Sequence, residues 1–254
     1  MSEPLILVTN DDGITAPGIR SLVAAAKTIG KVVVFSPDSP QSGMGHAITV
    51  NSPLRVSPSR EHGDVEAWTS DGTPVDCVKL AIYEKLDRKP DILVSGINHG
   101  GNSSTNVLYS GTMSAAVEGA LEGIPSVGFS LLDHQYEADF SASEEVAKIV
   151  IRKVLEQGLP NGVCLNVNIP KIDYDEIKGI RICRQARAYW DDTFDVRKDP
   201  LGKDYYWLTG QFRDYDGGED TDIFALKNNY VSVVPTQFDM TAYQAIASLN
   251  SWDL

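Results

Sequence analysis

The chain has 254 residues, 42% of them hydrophobic and 22% charged, which is enough apolar material for a sizeable globular core. Its formal net charge of −13 argues against a surface for polymeric nucleic acid, whose phosphates are held by clustered Lys and Arg. A small phosphorylated substrate stays open, because one metal ion offsets its charge locally.

Short apolar runs alternate with segments of helical period. Leu5–Val8 is the first predicted strand and ends directly in Thr9-Asn10-Asp11-Asp12-Gly13. Ile19, Leu22, Val23 and Ala26 follow at helical spacing, and Val32–Phe35 is the second strand. Residues 36–76 fit the alternation poorly; turn signals and weak strand candidates at Ala47–Val50 and Val65–Thr69 predict a loop and hairpin excursion. The third strand is Ile92–Val94, and a helix follows Gly111-Thr112, with Met113, Ala116, Val117, Ala120 and Leu121 on one side. Ser126–Phe129 and Val163–Val167 are further strands, separated by a helix whose Ser141-Ala142-Ser143-Glu144 start has capping-box spacing. Such continuous apolar strands suit a parallel sheet covered on both faces, so the fold class is α/β.

After about Pro170 the texture changes. Ile180–Cys183 and Tyr205–Leu208 are predicted strands flanking a long polar connection that carries Tyr189, Trp190 and Phe194. A two-stranded excursion cannot bury those aromatics alone, so it should pack on the core or on another subunit, the subunit being favoured. Asp222–Leu226 is predicted as a helical turn, Tyr230–Val234 as a strand and Thr241–Leu249 as a closing helix. The division expected is an α/β core over 1–170 and a dependent extension over 171–254.

Cys77, Cys164 and Cys183 show no C-x-x-C spacing and predict reduced, buried thiols in the cytoplasm. His46, His62, His99 and His134 form no zinc pattern. No signal peptide is visible, and no run approaches the roughly 18 apolar residues of a membrane span.

Three segments place oxygen-bearing side chains just beyond strand ends, where open α/β sheets bind ligands. They are Asn10-Asp11-Asp12, the turn Ser36-Pro37-Asp38-Ser39-Pro40-Gln41-Ser42-Gly43, and the loop Ser95-Gly96-Ile97-Asn98-His99-Gly100-Gly101-Asn102. If the strands are parallel neighbours, these loops meet at one crevice. Adjacent carboxylates repel unless a cation or proton lies between them. With hydroxyl and carboxamide oxygens around them, they suit Mg²⁺, Mn²⁺ or Ca²⁺ and suit zinc poorly. Tyr109-Ser110-Gly111-Thr112-Met113 adds a helix start with free N–H groups and hydroxyls, a site for phosphate. A metal beside an anion-binding helix start is what phosphomonoester hydrolysis needs.

Each segment also has a plain structural reading. Asp-Asp-Gly is a common turn, Ser-Gly-Thr a common helix cap, and Asn98 and Asn102 fit left-handed loop positions. Asp12 and His99 are the conceivable general bases, and the residues alone assign neither. Two other functional classes stand beside hydrolysis by a metal site. One is a phosphatase with an aspartyl-phosphate intermediate, although such enzymes usually carry Asp-x-Asp. The other is a non-catalytic, metal-dependent nucleotide-binding or sensing protein.

The sequence closely resembles the SurE family of stationary-phase survival proteins, metal-dependent 5′(3′)-nucleotidases. The matching blocks are 7–14 (Leu-Val-Thr-Asn-Asp-Asp-Gly-Ile), 37–43, 73–78, 90–102, 109–119, Thr221-Asp222 and 230–235. The resemblance implies a Rossmann-like three-layer core with a mostly parallel sheet and a C-terminal hairpin and helix extension used in oligomerisation, giving a homodimer or tetramer. It implies Asp11, Asp12, Ser42 and Asn98 as ligands of one divalent cation per subunit, Mg²⁺ or Mn²⁺ first, with Ca²⁺ and Co²⁺ also fitting. Asp11 and Asp12 would be catalytic, and Asn98, Asn102, Ser110, Gly111 and Thr112 would contact substrate phosphate. The implied activity is 5′-nucleotidase, extending to 3′-monophosphates and short polyphosphate. Many members carry an acidic residue where this chain has Thr105-Asn106, and residues 184–220 resemble the family only loosely.

Overall fold

Residues 3–253 are described by a computed structural model. The elements in chain order begin β1 (Leu5–Thr9), α1 (Pro17–Lys27), β2 (Lys31–Pro37), β3 (Val56–Ser59), β4 (Glu66–Ser70), α2 (Pro74–Leu80), β5 (Ile92–His99) and α3 (Gly111–Leu121). They continue with β6 (Ser126–Leu131), α4 (Ser141–Gln157), β7 (Val163–Ile169), β8 (Ile180–Ile182), β9 (Ala188–Lys198), β10 (Asp204–Asp214), α5 (Asp222–Lys227), β11 (Val231–Gln237) and α6 (Tyr243–Leu249). A 3₁₀ turn, Ser104–Tyr109, leads into α3.

Among the described residues, nine strands form one sheet in the order β3-β4-β2-β1-β5-β6-β7-β11-β8. The pairings from β4 to β7 are all parallel. Successive side chains of a strand face opposite sides, so β1 feeds two cores. Ile6 and Val8 pack with Ile19, Leu22, Val146 and Ile151 of α1 and α4, whereas Leu7 packs with Cys77, Val78 and Ala115 of α2 and α3. Helices therefore cover both faces, as the apolar strands predict, in three layers. No helix among the described residues is long and apolar enough to cross a membrane.

Several local expectations are corrected. Ala47–Val50 forms no strand, because Thr49 gives its N–H and hydroxyl to the Asp76 carboxylate. The edge strand is Val56–Ser59, whose Pro58 is tolerable only at a sheet edge. The capping box at Ser141 does not form; Phe140 occupies the cap position and the Asp139 carboxylate accepts from Ser141 N–H. A capping box forms instead between Thr73 and Asp76, at the start of α2.

The long polar connection is also not a loop. Tyr189, Trp190 and Phe194 lie on β9, an 11-residue strand paired antiparallel along its length with β10. The base of this hairpin is fastened to the core by buried polar contacts. Ser104 Oγ donates toward the Ala186 and Ala188 carbonyls, at 2.8 and 2.5 Å. The fully buried Asp222 carboxylate accepts from Ser104, Ala186 and Ile223 N–H at 2.7, 2.9 and 2.8 Å.

Removing that acceptor strands three N–H groups inside the protein. Asp222→Ala is expected to cost about 3 kcal/mol or more, read as a lower urea midpoint in equilibrium unfolding. Asp222→Asn, which keeps one acceptor oxygen, should fall between the two.

Candidate active site

The three oxygen-rich segments lie at the carboxyl ends of β2, β1 and β5, parallel neighbours in the sheet; β5 runs on past the predicted Val94 to His99, so Asn98 and His99 are its last residues. Their loops therefore open at one edge, at the carboxyl ends of the strands. The turn after β1 is fixed from inside by Asn10, which is buried; its amide N–H₂ donates to the Gly13 carbonyl at 2.9 Å, and its oxygen accepts from Ser36 at 2.5 Å. Asn10 thus shapes the turn that presents the two aspartates. The second loop is tied to the first where Gln41 N–H donates to the Asp11 carbonyl at 2.7 Å, which brings the exposed turn at Ser42 beside Asp11.

Asp11 is only 4% exposed. Burial and the charge of Asp12 push its carboxyl up to about 6, against the hydrogen bond from Thr112. That bond, Thr112 Oγ1 to Asp11 Oδ1, is 2.5 Å long. The α3 start touches the same carboxylate: a Cβ on Gly111 would come within 2.6 Å of Asp11 Cβ and 2.9 Å of Oδ2. Only glycine lets the helix end approach so closely. Ser110 caps α3 by accepting from Met113 N–H at 3.0 Å. Thr112 faces the Asp11 carboxylate with its backbone N–H as well as its hydroxyl, whereas no protein group among the described residues accepts from Gly111 N–H. Gly111 N–H is the free donor of the helix's positive end.

The third loop reaches the carboxylates through its backbone. His99 N–H and Nδ1 face Asp12 Oδ2 at 3.4 and 3.0 Å, and His99 Nε2 faces the Tyr136 carbonyl at 3.3 Å. Both ring nitrogens thus meet acceptors. The hydrogen bond to Asp12 raises the imidazole above its ordinary value, and the ring in turn orients the Asp12 carboxylate. Asn98 donates both amide hydrogens to its own loop, to the His99 and Gly100 carbonyls, which leaves its carbonyl oxygen as the atom free to bind a cation. Within β5, pairing to β6 breaks register between Ser95 and Asn98. At that break Gly96 has φ +123°, and a Cβ would meet the Phe129 carbonyl at 2.4 Å. Asn102 is buried; its amide donates to Ser130, its N–H to Asn168, and its carbonyl accepts from Asn166. It braces the loop against β6 and β7.

The donor set suits a hard divalent cation. Two carboxylates that repel one another lie among neutral oxygens, and among the described residues no group of three His, Cys, Asp or Glu side chains gathers anywhere to hold a softer ion. Two buried hydroxyls without protein partners, Thr9 and Ser95, form a registered pair two residues before Asp11 and three before Asn98.

A family profile described as "Survival protein SurE" matches residues 6–192. The chain belongs to the SurE family. A relative from Flavobacterium psychrophilum named 5'-nucleotidase SurE is 62% identical over 255 residues, covering 100% of this chain and 99% of the relative. One of the same name from Chlorobium limicola is 45% identical over 254 residues, covering 100% of this chain and 98% of the relative. The crystal structure of the SurE protein from Aquifex aeolicus superposes with a TM-score of 0.85 at 40% identity, covering 97% of this chain and 98% of that one. The fold is thus the α/β, Rossmann-like architecture of the SurE family, with the extra hairpin.

The structure also displays supports that the sequence reading of this SurE chain did not single out. Glu118 of α3, 4% exposed in its side chain, accepts from His46 Nε2 at 2.8 Å and pairs with Lys79 of α2. It ties the strand-end loop that carries Ser42 to the helix that abuts Asp11. Burial raises the Glu118 carboxyl, but the hydrogen bonds from His46 and Lys79 outweigh it and leave the group below its ordinary value.

Two outcomes follow. Gly111→Ala is expected to weaken divalent-metal affinity at least tenfold by calorimetry, because the new methyl displaces Asp11. A carboxyl with a lowered folded value stabilises above its unfolded pKa of about 4.5 and loses that contribution as pH falls. Melting temperatures of wild type should therefore drop more steeply below pH 4.5 than those of Glu118→Gln.

Proposed function

We propose that this chain is a divalent-metal-dependent 5′-nucleotidase that releases phosphate from nucleoside monophosphates, acting also on 3′-monophosphates and short polyphosphate. One observation carries the reading: two adjacent carboxylates, one of them buried, abut a helix start whose first N–H, that of Gly111, has no protein acceptor among the described residues. Full-length likeness to relatives named 5'-nucleotidase SurE supports the substrate class.

Asp11 and Asp12 would hold the cation, with the Asn98 carbonyl and the Ser42 hydroxyl as neutral ligands. A bound Mg²⁺ or Mn²⁺, or Ca²⁺ or Co²⁺, supplies Lewis-acid polarisation of a phosphoryl oxygen and lowers the pKa of water. The protein's own contribution is placement. Gly111 N–H, with the α3 dipole behind it, binds and orients a phosphate oxygen. Thr112 acts on the site through Asp11, to which it donates. Asn102 holds the Gly100–Asn102 backbone in place, and His99 fixes the orientation of Asp12.

The assembly proposed is a homodimer or tetramer built through the hairpin. Phe194, Val196 and Tyr206 share one face of it, and each is more than half exposed. Three free, buried cysteines support a reducing, cytoplasmic setting.

The test is phosphate release from AMP and GMP by purified protein, with Mn²⁺ or Mg²⁺ and with chelator. Metal-stimulated release abolished by chelator is expected; nucleotide and metal binding without release would instead make the protein a sensor. Asp11→Asn should lower turnover at least 100-fold at limiting metal. Its stability should move the other way. A carboxyl raised to about 6 loses its contribution as pH rises through that value. At pH 7.5 the metal-free variant should therefore be more stable than wild type, by roughly 2 kcal/mol.

A further inference from the structure

A cleft of about 670 Å³ lies between the 3₁₀ turn and the hairpin, with Thr105, Leu108 and Tyr109 on one side and Trp190, Asp192 and Leu208 on the other. That volume is in the range of small-molecule sites, roughly 300–1,000 Å³. The hairpin wall is one face of the β9–β10 ladder. Trp190 stands opposite Phe212, Asp192 opposite Gly210, and Phe194 opposite Leu208. Gly210 leaves that face without a side chain beside Asp192. The indole is held in place: its Nε1–H donates to Asn106 at 2.9 Å, and its ring meets Phe212 edge-on with centroids 5.7 Å apart.

The apolar wall of the cleft points to a ligand. Leu108 and Tyr109 are 56% and 64% exposed, an apolar surface that the chain leaves open beside a fixed indole. Asp192 places an exposed carboxylate on the wall of a cleft otherwise lined largely by apolar and hydroxyl side chains, while the neighbouring Asp191 is taken by Tyr215 and Arg213. A planar, weakly polar ring bearing N–H donors satisfies both: it stacks on the aromatics and donates to the acid.

Chain connectivity sets the distance to the metal site. Tyr109 precedes Gly111 by two residues, so their Cα atoms are at most about 7 Å apart, and Gly111 abuts Asp11. The smaller cleft beside Asp12, about 300 Å³ and walled by Asp12, Asp38 and His99, belongs to the metal centre itself. We propose that the hairpin cleft receives the base and sugar of a nucleoside monophosphate whose phosphate lies at the start of α3. This rests on the nucleotidase reading and adds to it the wall that recognises the nucleoside. Thr105 and Asn106 then have a task of their own: they dock the turn on the hairpin, through Thr105 to the Ala188 carbonyl and Asn106 to Trp190.

The experiment separates nucleoside recognition from turnover. Adenosine and guanosine, which carry no phosphate, are titrated by calorimetry into full-length protein with chelator present, and in wild type indole emission is followed as well. Saturable binding is expected, with affinity about tenfold weaker in Trp190→Leu and nearly retained in Trp190→Phe, which keeps an aromatic face. Leu108→Glu, an exposed position on the facing wall, should weaken it similarly and serves in place of Trp190→Leu if that variant fails to fold. In kinetics, the ratio of kcat/KM for AMP to that for ribose 5-phosphate should fall about tenfold in Trp190→Leu. Absence of saturable nucleoside binding, or an unchanged ratio, overturns the proposal. So does sedimentation as a dimer or larger species whose indole emission ignores nucleoside, which would show that a second copy fills the cleft. Nucleoside binding without any phosphate release would leave the cleft assignment standing and remove the nucleotidase reading.

Discussion

The buried carboxylate of Asp11 is the constraint around which the rest of the site is arranged. Its charge is unfavourable where it lies, enclosed by protein and adjacent to Asp12. Three separate parts of the chain nevertheless converge on it. Gly111 permits the helix end to touch it, Thr112 donates to it, and the loop after β2 hangs on its backbone carbonyl. Such a site is stable only because the sheet beneath it is apolar on both faces, and it becomes electrostatically favourable when a cation is present. Stability given up at one point is converted there into affinity for a charged ligand.

A second theme is how the hairpin meets that site. The turn preceding α3 is held from the far side by Asp222 and by the hairpin base, through Ser104, Thr105 and Asn106. The helix end that abuts Asp11 is therefore continuous with the segment on which the hairpin rests. In a sheet of this class the carboxyl-end crevice sets where phosphate chemistry takes place, and the appended hairpin is free to vary what else is recognised.

Much of this was legible in the sequence. Parallel strands buried on both faces read as unbroken apolar runs, so β1, β2, β5, β6 and β7 and the polar residues at their ends stood out. The hairpin did not, because both of its faces mix acids with aromatics: Asp192 lies between Trp190 and Phe194, and Asp195 opposite Trp207. With no buried face there is no period-two signal to find. Ala47–Val50 has the right alternation, but its backbone is claimed by Asp76, a contact that only the folded chain creates. The link from Thr112 to Asp11, and that from Glu118 to His46, join residues 101 and 72 positions apart. Local pattern cannot reveal such pairs; what it could reveal was that each end carried the right chemistry.

The central claim is that Asp11 and Asp12 are held together for the sake of one cation. Anomalous diffraction from a manganese-soaked crystal tests it most directly. One strong peak per subunit within about 2.5 Å of both carboxylates and of the Asn98 carbonyl is predicted. A map with no peak there, or with its peak elsewhere on the chain, would contradict the account.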